Sequence, residues 1–168
     1  IQGDVVGKGL SAALLAAYLV GLCDALAGEG LHPTNVLHSM NVALAERTQA
    51  RPMFATVIAI EVDLVRRTWK CARAGHEQAL LIRAAGPGVT FNPEPSLPVG
   101  IDGDEVYLEH EAPLLDGDRL FVGSDGALEV GLTSEMVAAT LRHGSARELI
   151  EGLVSLLPLQ TLRDDITL

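Results

Sequence analysis

The chain has 168 residues, enough for one domain with a sizeable core and too few for two comfortable ones. Apolar residues make up 48% of it and aromatic residues only 4%, which excludes a disordered chain and predicts a core built mainly from Ala, Leu and Val. Twelve Lys+Arg against 22 Asp+Glu leave a formal charge of −10; such a surface repels phosphate backbones and anionic lipid, and so excludes a nucleic-acid or membrane-surface role for this segment.

In chain order, Gly3-Asp4-Val5-Val6-Gly7-Lys8-Gly9 reads as a strand ending in a carboxylate, followed by a glycine-rich turn. The apolar run 12–20 imitates a targeting signal but is too short to span a bilayer, and Asp4 lies on its N-terminal side. It belongs to a helix predicted over 11–28, apolar almost all round and therefore expected to be buried on most faces, with Ser11 as N-cap and Gly28 and Gly30 as the stop. After His32-Pro33, Thr34 is expected to cap a second helix to about 47, with Val36, Leu37, Met40, Leu44 and Ala45 at helical spacing.

The period then changes. Residues 54–62, 68–74 and 79–83 read as a meander of strands, with a turn at Gly86-Pro87-Gly88 and an irregular loop over 92–98. Val106 and Leu108 alternate with polar residues, predicting a half-exposed strand over 105–111. Asp116-Gly117-Asp118 makes a tight turn into a buried strand over 119–123, which ends at Ser124-Asp125-Gly126. Two short helices are predicted over 133–142 and 145–156, and a last strand starts at Ile166. Helices, then strands, then helices is an α+β order, with antiparallel sheets and helices packed outside them. Cys23 and Cys71, with no CxxC, exclude a disulfide framework and a thiolate zinc site and fit a reducing cytoplasm.

The glycine-rich loop fails the P-loop template: Gly3 is too close to Gly7-Lys8, and Gly9 stands where Ser or Thr should ligate magnesium. A nucleotide switch therefore has little support. What remains is three acidic sites that each meet an apolar strand: Asp4, Asp125, and the pair Asp164-Asp165. Taken singly, each reads as a turn former or a cap. Taken together, carboxylates converging at a sheet edge need cations to offset their repulsion. Two divalent ions would leave a slightly positive site suited to a phosphoryl group and an activated water.

Gly3-Asp4-Val5-Val6-Gly7-Lys8-Gly9-Leu10-Ser11-Ala12-Ala13 resembles the GDVxGHG-L-x-A-A motif of bacterial metal-dependent Ser/Thr phosphatases, the PP2C-like domains of the SpoIIE and RsbU type. Further stretches match in order: Phe54-Ala55-Thr56, Ala74-Gly75-His76, Leu80-Leu81-Ile82-Arg83, Leu97-Pro98-Val99-Gly100, Gly117-Asp118-Arg119-Leu120 leading to Ser124-Asp125-Gly126 with Glu129 behind it, and Asp164-Asp165-Ile166-Thr167-Leu168.

The resemblance implies an α/β/β/α sandwich of two antiparallel sheets flanked by helices, with residues 1–168 forming a single domain that lacks the family's N-terminal strand and ends short of its last one. It implies two Mn2+ or Mg2+ ions, bridged by Asp4, with the carbonyl of Val5 completing one shell and Asp125 and Asp164 holding the second ion. Asp165 is the alternative to Asp164, because neighbouring side chains on a strand point to opposite faces. The segment usual after Glu129 is absent or shortened, and Lys8 stands where the motif has His. The implied activity is a cytoplasmic protein serine/threonine phosphatase with Asp4, Asp125 and Asp164 in its catalytic centre. It would act on a phosphorylated signalling protein such as an anti-sigma-factor antagonist, downstream of a sensor domain. The alternative is a degenerate phosphatase fold that binds a partner without catalysis. His76 is expected to be structural, and His32, His38, His110 and His143 to be surface or helix-end residues. Trp69 and both cysteines are read as packing residues.

Overall fold

A computed structural model describes residues 1–27, 30, 32–46, 53–84, 88–90, 96–126, 133–140 and 144–157. Its elements are β1 (Gln2–Val5), α1 (Leu10–Ala27), α2 (Pro33–Ala45), β2 (Ala55–Asp63), β3 (Thr68–Ala74), β4 (Leu80–Ile82), β5 (Gly88–Thr90), β6 (His110–Pro113), β7 (Arg119–Phe121), α3 (Ser134–Thr140) and α4 (Ala146–Leu156). They fall into two compact units, Ile1–His76 with Pro93–Pro113, and Glu77–Asn92 with Leu114–Leu168.

The first unit is a four-stranded antiparallel sheet in the order β1-β2-β3-β6, with α1 and α2 on one face. The covered face is set by the two-residue strand period: Ala55, Val57 and Ala59 of β2 lie beside Ala72 and Ala74 of β3. These small side chains let the helices come close. Val36, Leu37, Met40 and Leu44 of α2 fill the space above them, each contributing up to about 1.5–3 kcal/mol by leaving water. Pro33 opens α2 at its first turn, and the N-cap is His32, without a side-chain capping bond, rather than Thr34.

Helix α1 runs where the pattern places it, but it starts one residue early, with the Gly9 carbonyl accepting from Ala13 N–H. Its expected burial on most faces does not occur. Leu19 is buried and Leu15, Leu22 and Leu26 are partly so, whereas Leu10, Leu14 and Val20 are 75%, 62% and 60% exposed. An all-round apolar pattern names no preferred face, and here only one side of the helix meets the sheet and α2.

The predicted strand over 105–111 is also corrected. Residues 105–109 form no strand, β6 begins at His110, and the inward residue is Tyr107, with Val106 and Leu108 exposed. The alternation was read in the wrong phase: the larger ring of Tyr107 takes the buried position. A cross-strand charge ladder stands beside it. Glu61, Lys70 and Glu111 are directly opposed on β2, β3 and β6, and Lys70 Nζ lies 3.2 Å from Glu109 and 3.8 Å from Glu111. The Glu109 hydrogen bond and the surrounding carboxylates hold the Lys70 ammonium above its usual pKa.

The second unit is a three-stranded antiparallel sheet in the order β5-β4-β7. Leu80 and Ile82 of β4 pack with Val137 of α3 and Leu149 and Leu153 of α4. Helix α4 opens with a reciprocal cap: Ser145 Oγ accepts from Glu148 N–H, and the Glu148 carboxylate accepts from Ser145 N–H. The strand expected over 119–123 is shorter, Arg119–Phe121, and half-buried. The expected turn residues Gly86 and Pro87, most of the 92–98 loop and the strand from Ile166 lie outside the described residues.

The Leu97-Pro98-Val99-Gly100 stretch is fastened to the first unit's core. Val99 exchanges both backbone hydrogen bonds with Ala55, and Gly100 N–H donates to Oδ1 of the fully buried Asn41 at 2.8 Å. Gly100 has φ +93°, and a Cβ there would lie 2.7 Å from the Met53 carbonyl oxygen. Gly100→Ala is therefore expected to cost ~2 kcal/mol or more, read as a lower urea midpoint with an unchanged slope.

Candidate functional site

Asp4 and Val5 end the edge strand β1, and their roles follow from the pairing. Val6 N–H donates to the Phe54 carbonyl, so the Val5–Ala55 pair beside it is a non-hydrogen-bonded one. Ala55 confirms this by spending its own N–H and C=O on Val99. The Val5 carbonyl accordingly points away from β2, toward the edge that no other described strand covers. Strand alternation puts Val5 against the core under α1, and puts Asp4 on the opposite face, level with Thr56 and exposed. Gly7 and Gly9, at φ +97° and +84°, then turn the chain into α1. A carboxylate and a backbone carbonyl side by side at an open strand end are hard oxygen donors, the type that magnesium and manganese take.

Asp125 belongs to the second unit. It follows β7 by way of buried Gly123 and Ser124; its side chain is exposed, and Oδ1 accepts from Gly126 N–H at 2.8 Å. Asp118, a few residues earlier in the same motif, has a different task. Its carboxylate is almost wholly buried and accepts from Arg83 Nη1 at 2.5 Å, Leu115 N–H at 2.9 Å and Ala84 N–H at 3.1 Å. Burial pushes its pKa up, but the two backbone donors and the Arg83 guanidinium outweigh burial and hold it below the usual carboxylate range. Asp118 thus ties the start of β7 to the end of β4, which positions the segment that delivers Asp125.

Asp4 and Val5 lie in the first unit and Asp125 in the second, while Asp164, its neighbour Asp165 and Glu129 lie outside the described residues. Among the described residues, no three His, Cys, Asp or Glu side chains form a group arranged to hold a metal ion. His76 is buried, and its carbonyl accepts from Arg73 Nη1 at 3.0 Å. His32 and His38 are exposed, and Lys8 is exposed on the β1–α1 loop. Burial pushes the Cys71 thiol up to about 11 and also raises Cys23, so neither presents a thiolate nucleophile near neutral pH. Sequence reasoning missed Asn41. It also donates from Nδ2 to the Asp102 carbonyl at 2.6 Å, holding both ends of the 100–102 turn. An amide on the apolar face of α2, between Met40 and Leu44, was the available signal.

The family described as Stage II sporulation protein E (SpoIIE) matches over residues 1–168. Among curated proteins, the chain is 29% identical over 176 aligned positions to phosphoserine phosphatase RsbU of Bacillus subtilis (strain 168), covering 98% of this chain and 52% of that protein. It thus spans about half the length of that relative. Among solved structures, the RsbU and RsbW domains of Rv1364c from Mycobacterium tuberculosis superpose with a TM-score of 0.81 at 20% identity, over 98% of this chain and 49% of that one. RsbX in complex with magnesium superposes at 0.75 and 19% identity, over 98% and 74%. The expected PP2C-like α+β fold is the one observed.

The Asp118 clasp has a pH signature. Because its folded pKa lies below the unfolded one, its stabilisation is complete above the ordinary carboxylate range and is lost as pH falls through the lowered folded value. Asp118→Asn is expected to lower stability by ~2 kcal/mol at pH 7, with the gap to the unsubstituted chain narrowing on acidification in urea denaturation series.

Proposed function

The chain belongs to the SpoIIE family, and from that membership we propose that it is a metal-dependent protein serine/threonine phosphatase domain. Its substrate is a phosphorylated signalling protein, such as an anti-sigma-factor antagonist, and it acts in the cytoplasm under the control of a sensor domain. Support comes from a relative named as a phosphoserine phosphatase that aligns over almost the whole chain. A structural neighbour that contains RsbU and RsbW domains adds to it. No described helix is long and apolar enough to cross a membrane.

The observation that carries the reading is the end of β1, where Asp4 faces away from the core and the Val5 carbonyl faces the open edge. These two oxygens, with the carboxylates of Asp125 and Asp164, are the donors that would hold two Mn2+ or Mg2+ ions, and the RsbX neighbour contains magnesium. When bound, the ions supply the Lewis acidity that makes a water nucleophilic at neutral pH and offsets charge on the phosphoryl group. The protein's own part is positional. The glycine turn after β1 leaves room for a phosphorylated side chain beside Asp4, and the Asp118–Arg83 clasp fixes the strand before Asp125. With both cysteines held as thiols, no cysteine takes the phosphoryl group.

Excess EDTA is expected to abolish hydrolysis of a phosphoserine protein, and added manganese to restore it; full activity in EDTA overturns the metal mechanism. Asp4→Asn and Asp125→Asn each remove a ligand charge at nearly constant volume. Both should lose metal binding in calorimetric titrations, and turnover with it, while melting temperatures stay near that of the parent. Retained folding and partner binding with no turnover in the unsubstituted chain would favour the non-catalytic module instead. Asp164→Ala should abolish activity and weaken metal binding, whereas Asp165→Ala should cost only about 1 kcal/mol of stability; the reverse pattern exchanges the two assignments.

A further inference from the structure

The turn between β2 and β3 exposes more apolar surface than its neighbours require. Leu64 is 78% and Val65 95% exposed, side by side at the tip of the hairpin. The tip is stiff, because Asp63 Oδ1 accepts from Val65 N–H at 2.8 Å and Arg66 N–H at 2.7 Å. Arg67 completes the turn at φ +55°, the one positive φ outside glycine among the described residues. Glycine would take that conformation without strain; arginine there adds a second cation beside Arg66. The Arg66–Asp63 pair, at 3.7 Å and largely exposed, leaves the guanidinium open to another partner. The result is a preorganised knob, apolar at its end and cationic behind it, on a chain of net charge −10.

A complementary feature lies on the same unit. A cavity of about 710 Å3 opens between α1, α2 and the β1–β2 face. Leu19, Val20, Val36 and Met40 supply apolar walls, Asp24 and Glu61 are its two carboxylates, and no lysine or arginine lines it. Glu61 already accepts a contact from His32 at 3.1 Å, while Asp24 is exposed. The knob cannot enter its own cavity: β2 carries both, with Ile60 and Glu61 lining the cavity and Leu64–Arg67 standing beyond the end of that strand.

We propose that two copies of this chain associate by reciprocal docking, each inserting its Leu64–Arg67 tip into the cavity between α1 and the β1–β2 face of the other, with Arg66 and Arg67 meeting Asp24 and Glu61. Knob and cavity are neighbours on one strand, so a single twofold axis brings both pairs together and closes the assembly at a dimer. A rigid tip loses little freedom on entering a shaped protein cavity. A bilayer offers no such shape, and two short side chains bury far less than the single acyl chain that is itself a marginal anchor. The interface is small, so the dimer dissociates on dilution.

Sedimentation of the full chain over a concentration series tests this. The unsubstituted protein should pass from monomer to dimer. The double variant Arg66→Glu, Arg67→Glu and the single variant Asp24→Lys should each self-associate at least about tenfold more weakly, with unchanged melting temperatures because all three side chains are exposed. An equimolar mixture of the two should recover a dimer, since one copy's reversed tip then meets the other's reversed cavity and the second contact is native. A monomer throughout, a dimer indifferent to both variants, or a mixture that stays monomeric overturns the proposal. So does a monomer that co-sediments with phosphatidylglycerol vesicles and is released by Val65→Asp, which would assign the tip to a lipid surface.

Discussion

The two-residue period of β1 separates chemistry from cohesion in the first unit. Gly3 and Val5 turn toward the helices and Asp4 turns away, so one strand of four residues feeds the core with one face and offers a carboxylate with the other. The arrangement depends on the register with β2. Slipped by one residue, the strand would bury Asp4 under α1 and expose Val5, and the desolvated carboxylate would cost more than the lost apolar contact. The register is held from the far side as well, because Ala55 pairs with Val99 on its other edge.

Much of this was legible in the sequence wherever the pattern was local. The bounds of α1 and β3, the turn at Asp116-Gly117-Asp118 and the cap of α4 at Ser145 follow from glycine positions, apolar period and capping residues. What could not be read was which neighbour each apolar face would meet. The α1 sequence is apolar all round, and nothing in it says that Leu19 is covered while Leu14 is not. Around Tyr107 the alternation admits two phases, and the choice is made by packing against the α2 side of the core, which periodicity does not encode.

The acidic motifs show the same division. Asp118 and Asp125 look alike in sequence, each at a turn beside an apolar strand. Only three-dimensional pairing shows that Asp118 is enclosed by Arg83 and two backbone amides while Asp125 stays exposed. The first is an anchor and the second a presented ligand group, and a substitution scan that treated them alike would confuse a weaker fold with a damaged site. Asp4 was easier to place, since the glycines after it have no structural use other than to turn the chain away from the strand end.

The loop carrying Val99 and Gly100 has no regular secondary structure of its own beyond its bridge to Ala55. Yet its amides are bound to the interior, Val99 to the backbone of β2 and Gly100 to the buried side chain of Asn41. Opening it requires both the edge of the sheet and the packed face of α2 to come apart. In hydrogen-exchange terms these two amides therefore belong with the slowest, globally exchanging class rather than with the loops. A stretch that looks like a connector is in kinetic terms part of the core, and the base of β2 beside Asp4 inherits its rigidity.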